Sequence, residues 1–139
     1  MRIRELRQGE EEAVVALWLA CELTRPWNDP HKDIERKLAH SPSLLLVGED
    51  EGLIIGSVMA GYDGHRGWIN YLAVHPSRQG HGLGRALMDA AEERLRALGC
   101  PKINLQVREG NEAARAFYEA IGYEQQELVD FGKRLVSDE

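Results

Sequence analysis

Cysteine is scarce in this chain, with two among 139 residues, Cys21 and Cys100. They form neither a CxxC pair nor a Cys/His cluster. That excludes a disulfide framework and a thiolate metal site, and leaves reduced, packing cysteines of a cytoplasmic protein as the expectation. The five histidines lack metal-ligand spacing, so no metal is expected. No apolar run approaches the roughly 18 residues of a membrane span. Met1 leads straight into the amphipathic RIRELR, with no sign of a secretory leader, so no membrane partner is expected. Basic charge is also short, because 17 Lys and Arg stand against 23 Asp and Glu for a net −6. Nucleic acid requires a basic face and is excluded as a partner. No Lys-Ser or Lys-Thr pair occurs, so a P-loop is excluded as well.

What remains is ordinary for a globular protein: 43% hydrophobic and 29% charged residues, without repeats or linkers. The length suits one domain over residues 1–139, able to bury roughly two-thirds of its unfolded surface. Arg2–Arg7 alternates as a strand. Glu10–Leu23 reads as a helix with Val14, Leu17 and Cys21 on one face. Asp29-Pro30 is a good cap and first position for a helix running to about His40. Ser43–Glu49 and Leu53–Tyr62 read as strands joined by a turn at Asp50-Glu51-Gly52, and Trp68–Val74 as a third strand after Asp63–Gly67. Gly82–Leu98 is a helix with Leu83, Leu87, Ala91, Leu95 and Leu98 along one face, stopped by Gly99. Lys102–Val107 reads as a strand, Glu112–Ile121 as a helix, and the tail to Val136 as two short strands.

The most informative stretch is LAVHPSRQGHGLGRA, residues 72–86. It runs from the strand Leu72-Ala73-Val74 through a glycine-studded turn into a helix beginning near Gly82. Glycines at 80, 82 and 84 remove side chains that would hold a ligand off the backbone. The first N–H groups of a helix have no partner within it and carry the positive end of its dipole, which suits a phosphate or pyrophosphate. Arg78, His81 and Arg85 add positive charge there in an otherwise acidic chain. A Rossmann turn needs G-x-G-x-x-G, but the third required position here is Arg85. A helix start that merely tolerates glycine is the competing reading.

Gln79-Gly80-His81-Gly82-Leu83-Gly84 fits a Gln/Arg-x-x-Gly-x-Gly/Ala signature, after a Leu-x-Val-x-Pro strand end. Farther on, Asn111, Ala114, Tyr118, Gly122 and Tyr123 fit Asn-x-x-Ala-x-x-x-Tyr-x-x-x-Gly-Phe/Tyr. In motif, order and spacing the chain resembles the GNAT superfamily of N-acetyltransferases. Its RPWNDP and GYDGHRG segments further resemble a branch of bacterial YpeA-like enzymes. The resemblance implies an α/β (α+β) GNAT fold: one mixed, mostly antiparallel sheet of six to seven strands, splayed between the fourth and fifth and flanked by four helices. It also implies acetyl-CoA as cofactor and direct acetyl transfer to the amine of a small molecule, a protein N-terminus or a lysine. A second copy of the chain stays open as a partner.

Residue by residue, the resemblance places the pyrophosphate on the backbone of Gln79, Gly80, His81, Gly82, Leu83, Gly84 and Arg85. Pantetheine lies along the main chain of Leu72, Ala73 and Val74, much as an added strand would. Asn111 and Tyr118 are seven residues apart and share a helix face. The resemblance puts Asn111 on pantetheine and Tyr118 at the thioester sulfur, where a phenol can protonate the departing thiolate. Asn111 is equally a good helix cap, and Tyr118 equally a half-buried core aromatic. Relatives often carry a glutamate on the fourth strand near Asn70 and Tyr71, and neither is a carboxylate here. Asp63, His65 and Asp29 are the candidates for proton removal. Trp27, Asn28, Tyr62 and Tyr71 complete the expected acceptor pocket. The missing glutamate is the one feature that favours a rival class, a non-catalytic acyl-CoA-binding or regulatory domain.

Overall fold

The computed structural model describes all 139 residues. Five strands and four helices follow one another as β1 (Arg2–Glu5), α1 (Glu11–Ala20), α2 (Pro30–His40), β2 (Leu45–Asp50), β3 (Leu53–Tyr62), β4 (Gly67–Val74), α3 (Leu83–Ala97), β5 (Ile103–Leu105) and α4 (Glu112–Ala120). Short 3-10 turns at Pro42–Leu44 and Pro76–Arg78 lead into β2 and out of β4. The chain forms two compact units, residues 1–105 with 138–139, and residues 106–137.

In the first unit the strands lie in sequence order, antiparallel from β1 to β4, with β5 parallel to β4 at the edge. Successive strand residues point to opposite faces, and β3 shows which helix takes which face. A Cβ on Gly56 would lie 2.8 Å from Leu87 Cδ1 of α3. The next side chain, Ser57, takes a hydrogen bond from Trp18 of α1. Thus α3 covers one face and α1 the other. Gly56 is glycine so that α3 can sit close against the sheet.

The α3 face buries Leu87, Met88, Ala91 and Leu95 completely. The α1 face gathers Val14, Leu17 and Trp18 against Leu45, Val47, Ala73 and Ile34 of α2. Leu98, expected on the buried stripe, is instead exposed, because α3 ends at Ala97 and Leu98 is its cap residue. Asp29 caps α2 by accepting from the N–H groups of His31 and Lys32, as its position before Pro30 predicts.

The expected six or seven strands are five. The tail read as two strands contains none. Alternating apolar residues make a strand only where a neighbouring strand supplies ladder bonds. Here no strand pairs with the tail: Leu128 N–H bonds the nearby Gln126 carbonyl, and Leu128, Val129, Phe131, Leu135 and Val136 are all exposed. No helix is long and apolar enough to cross a membrane.

Candidate active site

The fourth strand carries the candidate site. Parallel pairing with β5 covers only Gly67, Trp68 and Ile69. Beyond Ile69 the strand continues to Val74 with no strand partner on that flank, which is the splay between fourth and fifth strands. On its other flank β4 is irregular: Met59 pairs with Asn70, but Ser57 pairs with Ala73. Two residues of β4, Tyr71 and Leu72, thus oppose Val58 alone, forming a bulge. Tyr71 takes the left-handed conformation there (φ 51°), uncommon for an aromatic residue and maintained only where surrounding contacts impose it. Those contacts are visible. The ring stacks on Trp18 with centroids 3.6 Å apart and planes 7° from parallel. Its carbonyl accepts from Ser57 Oγ at 2.8 Å, and its hydroxyl donates to Asp33 Oδ2 at 2.6 Å.

At the end of β4 the chain turns through Pro76–Arg78 into α3. Gln79 folds back to donate to the Val74 carbonyl at 3.1 Å, and the Cys21 thiol contacts the same carbonyl at 3.3 Å. That carbonyl is therefore occupied, while burial pushes the Cys21 thiol up, consistent with packing rather than nucleophilic chemistry. Gly80 and Gly82 both have left-handed φ (85° and 75°). An added Cβ at either would meet nothing within 4 Å, so the chain's own packing does not demand glycine there; backbone shape does. Gly82 opens α3 without a side-chain cap, and the first intrahelical bond is from Ala86 N–H to its carbonyl. The N–H groups of Leu83, Gly84 and Arg85 thus have no intrahelical acceptor. Arg78, counted by sequence among the turn's positive charges, is ion-paired with Asp50, leaving His81 and Arg85 exposed at the turn.

The expected acceptor residues fall into two groups. Asn28, Asp29 and Tyr71 come together: the Asn28 side chain hydrogen-bonds Tyr71, and Asp29 N–H donates to Asp138 Oδ2 at 2.8 Å. Trp27, beside them in the loop before α2, is half exposed. Tyr62, Asp63 and His65 lie instead at the β3–β4 hairpin, where Tyr62 pairs with Gly67, four residues before Tyr71. Asp63 accepts from the N–H groups of His65 and Arg66 and from the Trp68 indole. Those bonds hold its carboxyl below the usual range, which makes it a turn former and a weaker base. Burial and the Asp33 carboxylate push the Tyr71 phenol well above its ordinary value, so it is a hydrogen-bond donor at neutral pH.

In the second unit, Asn111 caps α4 by accepting from Ala114 N–H at 3.1 Å. Tyr118 sits edge-on between Phe117 and Tyr123, with ring centroids 5.1 and 5.8 Å away. Burial pushes its phenol up to about 12, so it stays protonated across the physiological range.

The model of the acetyltransferase (GNAT) family matches residues 12–123. The chain belongs to the GNAT acetyltransferase family. An acetyltransferase of Pectobacterium atrosepticum is 54% identical over 138 residues, covering 99% of this chain and 98% of the relative. An uncharacterized N-acetyltransferase of Yersinia pestis is 52% identical over 139 residues, covering 100% and 99%. Among solved structures, Chaetomium thermophilum Naa20 in complex with a bisubstrate analogue superposes with a TM-score of 0.73. It is 26% identical over 89% of this chain and 71% of that one. This GNAT chain is an acetyl-CoA-dependent N-acetyltransferase.

Three side chains packed around Tyr71 and the start of α2 are absent from the sequence-based expectations. Asp33 stands one helical turn after Asp29, a spacing that puts both carboxylates on one face of α2. Ser57 is the polar residue in the apolar run LIIGSVMA, a signal that could have been read. Asp138 gave no signal. Its side chain, only 2% exposed, bonds Asp29 N–H and pairs with Arg36 at 2.7 Å, while Lys32 reaches its carbonyl. It pins the start of α2, and with it the helix that holds Asp33 against Tyr71.

Proposed function

We propose that this enzyme binds acetyl-CoA with its pyrophosphate on the Gly80–Arg85 turn and its pantetheine along the Leu72–Val74 main chain. The acyl end then lies at the Tyr71 bulge, beside the loop before α2. The observation that carries this reading is the strand splay: β4 loses its β5 partner after Ile69 and leads, through the Pro76–Arg78 turn and Gly80–Gly82, to the N–H groups that open α3 without an intrahelical acceptor. A strand flank supplies donors and acceptors for the two pantetheine amides, and a helix N-terminus supplies N–H donors for the pyrophosphate oxygens.

The acceptor is a primary amine of a small molecule or peptide. It approaches from the Trp27–Asp29 loop, where Asn28, Tyr71 and Asp33 give it a polar, acidic surface. The amine nitrogen attacks the thioester carbon, the C–S bond breaks, and coenzyme A leaves as a thiol while the amide forms. The proton lost by the amine passes to the Tyr71 oxygen as Tyr71 hands its own to Asp33, a concerted route open to a phenol already donating to a carboxylate. This route supplies a carboxylate although position 71 carries none. Tyr118, held protonated, is the donor to the departing thiolate, a role that rests on its motif.

The test uses Asp33→Asn with acetyl-CoA and a primary amine that the parent acetylates. The proposal expects kcat to fall ~10²-fold or more, the general-base range, with KM for acetyl-CoA changed less than threefold. Unchanged kcat would remove Asp33 from the proton route.

A further inference from the structure

Ser57 is a polar side chain with no exposure, in the middle of β3, touching neither the glycine turn nor the acceptor loop. Its hydroxyl joins two buried groups. The Trp18 indole N–H donates to it at 2.9 Å, and it donates in turn to the Tyr71 carbonyl at 2.8 Å. An indole has a single donor and a serine hydroxyl a single proton, so this chain has one direction only, Trp18 to Ser57 to Tyr71. It ends at the bulged peptide between Tyr71 and Leu72. That peptide is trans, since the chain has no cis bonds. In a trans peptide the carbonyl and the following N–H point in opposite directions. With the Tyr71 carbonyl drawn to Ser57, the Leu72 N–H is aimed away from β3, toward the flank that β5 leaves after Ile69.

We propose that Ser57, oriented by Trp18, is a positioning residue that locks the Tyr71–Leu72 peptide plane so that the Leu72 N–H donates to the thioester carbonyl of acetyl-CoA. The inference rests on the cofactor placement above and adds two buried residues, neither of which contacts the ligand. Without the Ser57 hydroxyl, a left-handed Tyr71 loses the side-chain bond that holds its carbonyl, and the peptide is freer to rotate. A donor turned away from a developing oxyanion loses most of its effect, because such donors act through preorganisation. The ring stack of Trp18 on Tyr71 holds the side chain; Ser57 holds the peptide.

The test needs no acceptor amine. Acetyl-CoA labelled with 13C at the thioester carbonyl is bound to the full chain, and the carbonyl stretch is read by isotope-edited infrared spectroscopy beside a calorimetric affinity. The parent is expected to shift the stretch to lower frequency than in free acetyl-CoA. Ser57→Ala should lose half or more of that shift while binding acetyl-CoA within about threefold of the parent. Ser57→Thr, which restores a hydroxyl, should recover it. Trp18→Phe keeps the stack on Tyr71 but removes the donor that orients Ser57, and should lose part of the shift. It decides the matter if Ser57→Ala fails to fold. A parent that binds acetyl-CoA without any shift would overturn the proposal, as would a shift unchanged in Ser57→Ala and Trp18→Phe. A parent that does not bind acetyl-CoA at all would overturn the cofactor placement itself.

Discussion

Replacing Gly82 by Asp and by Asn separates charge from bulk at the pyrophosphate site. Gly82 has φ 75° and ψ 12° and precedes the unpaired N–H groups of α3, with nothing within 4 Å of an added Cβ. Neither substitution clashes within the folded chain. Left-handed backbone costs a side chain about 1 kcal/mol, least for Asn and Asp. A carboxylate at a helix N-terminus returns about 0.3–1 kcal/mol through the helix dipole. The Tm of Gly82→Asp should therefore lie within about 4 °C of the parent. Binding is another matter. A carboxylate about 5 Å from one phosphate charge, at an effective dielectric constant near 20, is repelled by about 3 kcal/mol, or roughly 10²-fold in affinity. Asn has the same size and none of this charge. Calorimetric titration of coenzyme A should show Gly82→Asp binding about 10²-fold more weakly than Gly82→Asn. The gap should narrow in 1 M salt, where the Debye length falls to about 3 Å. Gly9→Asp serves as the control, since Gly9 is also left-handed (φ 91°) and equally open but lies in the turn before α1. It should leave coenzyme A affinity untouched. Equal affinities for Gly82→Asp and Gly82→Asn at low salt would refute the pyrophosphate placement.

Tyr118→Phe keeps the ring packing and removes the proton donor, so kcat should fall ~10²–10⁴-fold with acetyl-CoA affinity preserved. The loss should be smaller with a thioester of a more acidic thiol, and a variant as fast as the parent with both would return Tyr118 to a packing role. In the parent, a phenol pushed up to about 12 predicts no descending limb in the kcat–pH profile before pH 10. Leu87→Ala, at a fully buried position against Gly56, should cost about 2–5 kcal/mol in denaturant unfolding; a loss below 1 kcal/mol would mean that α3 does not pack as described. Glu10 is held down to about 2 by the paired Arg4 guanidinium. A depressed carboxyl stabilises the fold above its unfolded value near 4.5, and that contribution is lost as pH falls through about 2. The stability gap between parent and Glu10→Gln should be constant above pH 5 and vanish near pH 2; a gap independent of pH would exclude the ion pair as its source. Asn28→Ala should raise KM for the amine severalfold while leaving acetyl-CoA affinity intact.

What the sequence shows and what it hides divide along physical lines. The glycine turn is legible because its demand is local: Gly80 and Gly82 adopt backbone angles that other residues resist, and the helix that follows begins where its periodicity says. The Asp29-Pro30 start of α2 is legible for the same reason. The tail misleads because period-two alternation states only that a strand could form, not that a neighbour exists to pair with it. Asp33, Ser57 and Asp138 are hidden because each acquires its role from a partner far along the chain: Tyr71, Trp18 and the Asp29 backbone. A sequence shows the hydroxyl of Ser57 and the bulk of Trp18, but their meeting on one face of β3 is a property of the assembled sheet. Tyr71 lies between these cases. Its aromatic ring near the end of a strand stands out in the sequence, while its bulged backbone becomes visible only once β3 and β4 are paired.

The central claim is that this chain transfers an acetyl group from acetyl-CoA to an amine. The direct measurement is the rate of free coenzyme A thiol release from acetyl-CoA across a panel of polyamines, amino sugars, lysine derivatives and peptide N-termini, with mass spectrometry of the amine products. The account predicts amine-dependent thiol release, matched one to one by acetylated product, for at least one class in the panel. Tight acetyl-CoA binding with no amine-dependent release above the protein-free rate for any of them would contradict it, and would mark the chain as an acyl-CoA-binding module instead.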